Sequence, residues 1–114
     1  QVYKRKVNNM NFCSFTGFLV DDPKIEDNNN VSLLRFTIVC YTYRKTKSTG
    51  EKSRIPTFMS CEAWHTGAET IAKFAKKGTK IHIHASARNP AKGKSGIVFR
   101  VNEFDIINQE ESHA

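Results

Sequence analysis

Four aromatic residues, Tyr41, Tyr43, Phe58 and Trp64, share an unusual position in the sequence. In Leu34–Tyr43 the even positions Leu34, Phe36, Ile38 and Cys40 form the apolar set of a period-two pattern. Tyr41 and Tyr43 fall on the other parity, with Arg35, Thr37 and Val39. In Thr57–Trp64 the inward set is Met59, Cys61 and Ala63, leaving Phe58 and Trp64 outside with Ser60 and Glu62. Flat rings on the outer face of a sheet are stacking platforms for unpaired bases, and cations beside them track phosphates. Cations are dense here: Arg35, Arg44, Lys45, Lys47, Lys52 and Arg54 lie within or between the two strands, and Lys92 and Lys94 lie in a later basic loop. The competing use of these rings is burial in a subunit interface or a second small cluster.

Other chemistry finds little support. Gly93-Lys94-Ser95 echoes the end of a phosphate-binding loop, but Arg88 stands where its first glycine belongs, and the segment lies between strands. His82-x-His84 places two imidazoles on one strand face with no third metal ligand evident in the sequence. His65 and His113 are isolated, and the acids show no pairing suited to general acid–base work. Cys13, Cys40 and Cys61 are too scattered for a disulfide framework or a zinc site and read as small buried hydrophobes in a reducing compartment. We therefore expect no catalytic residues, no metal and no cofactor.

The elements that must position the aromatics follow from periodicity. A first strand, Asn11–Leu19, carries a bend at Gly17; Asp21-Asp22-Pro23 ends it, and Glu26–Asn30 reads as a turn. The two aromatic-bearing strands are joined by Arg44–Arg54, which holds five Lys and Arg against Glu51 and reads as a loop or the tip of a long hairpin. The period then changes. Thr66 and Glu69 suit a capping box, Ala68, Ile71, Ala72 and Ala75 recur at helical spacing, and Gly78 suits the helix end. A fourth strand, Lys80–Arg88, sets Ile81, Ile83, Ala85 and Ala87 against His82, His84, Ser86 and Arg88. The fifth, Ile97–Ile107, shifts parity between Val101 and Phe104, which predicts a bulge near Asn102-Glu103 or burial on both faces. Three strands, a helix and two strands predict an all-β fold, a five-stranded Greek-key OB-fold barrel with one α-helix between strands three and four.

The chain has 114 residues, enough for one domain with its own core. We divide it into a basic N-terminal arm at 1–9, natural or left from expression, the folded domain at 10–107, and a short C-terminal tail at 108–114. A formal net charge of +7 favours a polyanionic partner, and no apolar run is long enough to span a membrane.

The ordered pieces resemble the bacterial-type single-stranded DNA-binding protein family. Asn11–Pro23 is similar to that family's opening strand, Leu34–Val39 to its second, and Ser48-Thr49-Gly50-Glu51 to its hairpin tip. Cys61–Gly78, ending Phe74-Ala75-Lys76-Lys77-Gly78, resembles its third strand and helix, and Lys80–His84 the strand that follows. The resemblance covers about residues 10 to 107. It implies an OB-fold that wraps single-stranded DNA without sequence preference, as a homotetramer ahead of a dimer, with Phe58, Trp64 and Tyr43 as the matching stacking positions. The chain departs from the family at Ala85, where glycine is usual, and at Tyr43 and Phe58, where tryptophan is frequent. It ends at Glu110-Glu111-Ser112-His113-Ala114 without the family's acidic tip, which implies a removed tail or a divergent phage or organellar member.

The expectation is thus a non-catalytic protein that protects single strands in replication, recombination or repair. Phe58, Trp64, Tyr43 and Tyr41 would stack bases, and the eight cations above would hold phosphates. Replication or repair proteins are the expected protein partners, and the setting is intracellular and DNA-associated: cytoplasm, nucleoid, organelle or phage-infected host. The alternatives are a primosomal-type replication accessory module working through protein contacts, and an RNA-binding OB-fold.

Overall fold

In a computed structural model, residues 9–107 are described; the N-terminal arm up to residue 8 and the tail 108–114 lie outside them. Six strands and one helix run in the order β1 (Cys13–Leu19), β2 (Ile25–Asn28), β3 (Val31–Lys45), β4 (Lys52–Trp64), α1 (His65–Phe74), β5 (Lys80–Arg88), β6 (Val98–Ile107). Hydrogen-bonded neighbours follow β1-β5-β6-β4-β3-β2, and β1 also pairs with β3. That last pairing closes β1, β5, β6, β4 and β3 into a ring, so the expected five-stranded barrel with its helix after the third barrel strand is present. The sixth strand is an annex.

This annex corrects the reading of Glu26–Asn30 as a turn. Ile25–Asn28 pairs with Val31–Leu34, and only Asn29 and Asn30 turn, with φ of 54° and 66°. Two consecutive residues at positive φ suit the mirror-image turns that match strand twist, and asparagine tolerates them. All four β2 residues are exposed, so no apolar alternation marked the strand.

The core follows the parity that the sequence sets. Leu34, Phe36 and Ile38 face inward, paired across the β3–β4 ladder with Ala63, Cys61 and Met59. Ile81, Ile83 and Ala85 of β5 join them, and α1 contributes Ala68, Ile71 and Ala75. Ring closure depends on Gly17. A Cβ at that position would lie 2.6 Å from the Val39 carbonyl oxygen, because β1 presses against β3 where Phe18 and Leu19 pair with Val39 and Ile38. The first strand starts later than expected; Asn11 instead imitates a strand pairing, its side chain donating to the Ala87 carbonyl and accepting from the Ala87 N–H at 2.9 and 2.8 Å.

The helix ends differ from the sequence reading. Trp64 is the N-cap and supplies no side-chain bond, so Thr66 and Glu69 form no capping box; Glu69 accepts from the Ser32 hydroxyl at 2.7 Å instead. The cause is the direct junction of β4 with α1: His65 enters the helix at φ 59°, leaving no loop in which Thr66 could act as cap. Gly78 does not close the helix either. α1 stops at Phe74, where the Ala75 N–H bonds the Ile71 carbonyl, and Gly78 serves the turn beyond it, donating its N–H to the Leu19 carbonyl. The cysteines also divide. Cys61 is buried and Cys13 and Cys40 are half-buried, with the Cys40 thiol donating to the Thr16 carbonyl at 3.0 Å.

Candidate nucleic-acid interface

The β3–β4 ladder fixes which outward residues stand side by side. The rungs of that parity are Leu33↔Trp64, Arg35↔Glu62, Thr37↔Ser60, Val39↔Phe58, Tyr41↔Pro56, Tyr43↔Arg54 and Lys45↔Lys52, with Leu33 and Val39 buried. Both strands continue into the segment that read as loop or hairpin tip, so only 46–51 is turn, closed by the Thr46 N–H to Glu51 carbonyl bond and the Gly50 N–H to Thr46 carbonyl bond. The hairpin thus extends the sheet as a ribbon carrying Arg44, Lys45, Lys47, Lys52 and Arg54, all exposed.

The four predicted rings lie on this one face in different states. Phe58 is 62% exposed and Tyr43 67%. Tyr41 is half-buried, with the Arg54 guanidinium 4.1 Å from its ring centre. Trp64 is half-buried as well; Arg100 lies 5.6 Å from its ring centre, and its indole N–H is buried with no acceptor among the described residues. At ~3.3 Å per residue, Phe58 and Trp64 are about 20 Å apart along β4, whereas Phe58 lies about 7 Å from the Tyr41 rung. The face therefore has an aromatic cluster at the hairpin root and a separate tryptophan at the helix end.

Charge separates in the same way. Between the two aromatic stations Arg35 donates to Glu26 at 3.0 Å, and Arg100 donates to Glu62 at 3.0 Å. A groove of about 250 Å³ there is lined by Asp21, Asp22, Arg35, Thr37, Ser60 and Glu62, among others. The middle of the face is thus self-neutralised, while the hairpin keeps uncompensated cations. β4 and β6 pair in parallel at Cys61↔Phe99 and Glu62↔Arg100, so the basic loop leads into a strand that adjoins β4. Lys92 and Lys94 in that loop are exposed.

The structure brings Tyr41, Tyr43 and Phe58 together with the cations of the hairpin, leaves Trp64 apart at the helix end, and ties Arg35 to a carboxylate. Sequence reasoning missed Arg100 and Glu26. The outward parity of Arg100 was visible, but its partners Glu62 and Trp64 lie 38 and 36 positions away in the chain, which a strand pattern cannot convey. Cys61 sits inside, and burial, followed by the nearby Cys40, pushes its thiol up to about 12, far from a nucleophile's range. His82 and His84 lie on β5, away from this face. Among the described residues no three or more ligating side chains form a metal cluster, and no helix is long and apolar enough to cross a membrane.

Comparison with known proteins agrees with this geometry. The profile of the single-strand binding protein family matches residues 10–102. Single-stranded DNA-binding protein 1 of Synechocystis is 29% identical over 85 residues, spanning 68% of this chain and 70% of its own. The wild-type single-stranded DNA-binding protein of Thermus aquaticus superimposes with a TM-score of 0.73 at 15% identity, over 89% of this chain and 52% of its own, so the chain spans about half of that protein. A Plasmodium falciparum SSB in complex with ssDNA gives 0.69 at 15% identity, covering 90% of this chain and 97% of its own.

Proposed function

Because the chain belongs to the single-strand binding protein family, we propose that it binds single-stranded DNA without sequence preference, acting as a non-catalytic protein that protects exposed strands inside the cell. Phe58, Tyr43 and Trp64 stack bases, and Tyr41, braced by Arg54, edges the same platform. Arg44, Lys45, Lys47, Lys52 and Arg54 neutralise phosphates along the hairpin, joined by Lys92 and Lys94. Arg35 is left out of the phosphate set, since its guanidinium already donates to the Glu26 carboxylate. One observation carries the reading: Phe58 and Tyr43 stay largely uncovered at the root of a ribbon of exposed cations that meet no carboxylate among the described residues. Stacking at ~1–3 kcal/mol per base and charge neutralisation then act on one strand at once.

We read the protein as a homo-oligomer. β1 pairs with β3 only at its last two residues, so the Cys13–Gly17 stretch bonds a strand on one side alone among the described residues. An unpaired edge of this kind accepts a strand from a second copy. The mass in solution, with and without a long oligo(dT), tests both parts of the reading. A multimer that takes up oligo(dT), with competition by oligo(dT) far ahead of duplex DNA and RNA, agrees with it. Equal competition by duplex, or none by any nucleic acid at low salt, refutes it.

A further inference from the structure

A second outward face, formed by β1, β5 and β6, carries a different set of groups. The registers place Thr16, His82 and Asp105 in one row across the three strands, and Ser14, His84 and Glu103 in the next. The two imidazoles turn toward each other, with their Nε2 atoms 3.0 Å apart. Each Nδ1 faces an oxygen: His82 Nδ1 lies 2.6 Å from the Thr16 hydroxyl, and His84 Nδ1 lies 3.5 Å from the Glu103 carboxylate. The Ser14 hydroxyl lies 3.4 Å from His82 Nε2, on the side where the nitrogens converge.

From this arrangement we propose that His82 and His84 chelate a borderline divalent transition metal, Zn²⁺, Ni²⁺ or Cu²⁺, through their Nε2 atoms. Two nitrogens each about 2.1 Å from one cation lie about 3 Å apart at the right angle of square-planar or octahedral Cu²⁺ and Ni²⁺, which is the spacing present, whereas tetrahedral Zn²⁺ needs about 3.4 Å. Histidine ligands are held by a partner on the other ring nitrogen, and Thr16 and Glu103 occupy those two positions. Imidazole suits these metals, whereas Mg²⁺ and Ca²⁺ demand oxygen ligands.

The surroundings favour a cation. Glu103 and Asp105 place two carboxylates beside the pair on a chain whose net charge is +7. A cavity of about 440 Å³ lined by His82, His84, Asn102, Glu103, Phe104 and Asp105 leaves room for the metal with its waters. Metal binding takes the place of the direct contact between the two Nε2 atoms.

Calorimetric titration of metal-free protein with ZnCl₂ and NiCl₂ at neutral pH tests the site, with MgCl₂ as comparison. The expected result is one transition metal per chain, no heat with Mg²⁺, and loss of binding in His82→Ala and in His84→Gln. Glu103→Gln should weaken binding about tenfold. Circular dichroism establishes that each variant is folded, and the nitrogen signals of both histidines in the intact protein should move on adding Zn²⁺, at Nε2 more than at Nδ1. Absence of binding in the intact protein, unchanged affinity in both folded histidine variants, or Zn²⁺ shifts confined to other residues each overturn the proposal. The oligo(dT) affinity of His82→Ala is expected to be unchanged, so failure here is separable from failure of the nucleic-acid reading.

Discussion

Phe58→Ala removes a large ring from the middle of the proposed platform. Two quantities follow from its surroundings. Phe58 stands opposite Val39 on the β3–β4 ladder and is 62% exposed, so within the chain it gives up one cross-strand contact, worth about 0.2–1 kcal/mol of stability. The ring's open face is what a base would use, and losing one stacked base costs ~1–3 kcal/mol, a 5- to 150-fold rise in Kd. Function should therefore suffer more than fold. Anisotropy of a labelled oligo(dT) at fixed salt reads the loss of stacking, and urea unfolding followed by the emission of Trp64 reads the loss of stability. A Kd within twofold of the parent protein, with the fold intact, would refute stacking at this position. A stability loss above about 3 kcal/mol would instead place the ring in an interface between copies, because the exposed side chain of one chain cannot supply that much.

Trp64→Ala should behave differently: the ring is half-buried under Arg100, so the variant loses about 2 kcal/mol of stability in urea, less than a fully buried tryptophan, and also binds oligo(dT) more weakly. Replacing Lys45, Lys47 and Lys52 together by Gln should flatten the slope of log K against log salt by about 2, at ~0.7 per phosphate contact, and Arg35→Gln should leave that slope alone because Arg35 is held by Glu26. Raising pH should destabilise the protein through Cys61. Its folded thiol is pushed by burial up to about 12 from the ordinary 9.0, so the stability it contributes is complete below pH 9 and falls as pH rises toward 12. The loss reaches about 2 kcal/mol by pH 10.5, and urea unfolding at pH 8.5 and 10.5 should show that part of the pH slope missing in Cys61→Ala.

The strands bearing Tyr41, Tyr43, Phe58 and Trp64 were legible because one parity of each faces the core, although Leu33 and Val39 on the other parity are buried as well. β2 was not legible, since it hangs outside the ring and buries nothing. The capping box failed for a related reason: Thr66 and Glu69 have the right spacing, but β4 runs into α1 without a loop, a junction set by barrel closure and not by local sequence. At the site, sequence placed the aromatics on one face but could not say how far each is uncovered. That depends on Arg100 and Arg54, whose positions over Trp64 and Tyr41 come from strand register. The free and the satisfied cations were likewise indistinguishable until Glu26 and Glu62 were placed in space.

One inserted residue decides what the second face displays. Along β6, Arg100 pairs with Ser86 and Val101 with Ala85, but Glu103 pairs with His84, so Asn102 has no partner in the ladder and bonds the Ser86 hydroxyl at 3.0 Å instead. Under strict alternation from Arg100, position 104 would point outward and 103 inward. The extra residue reverses this, sending Phe104 and Ile106 to the core and turning Glu103 and Asp105 toward the imidazoles. Deleting Asn102 should therefore either expose two large apolar side chains, at about 1.5–3 kcal/mol each, or force a slip of β6 against β5. Either result removes a large share of a typical 5–15 kcal/mol stability and separates Glu103 from His84. Asn102→Ser keeps the inserted residue and should retain both the fold and the pairing, as urea unfolding and the histidine nitrogen signals would report. A deletion variant with parental stability and an unchanged His84 environment would mean that the bulge can be absorbed elsewhere in β6, and that the acids face the histidines for some reason other than register.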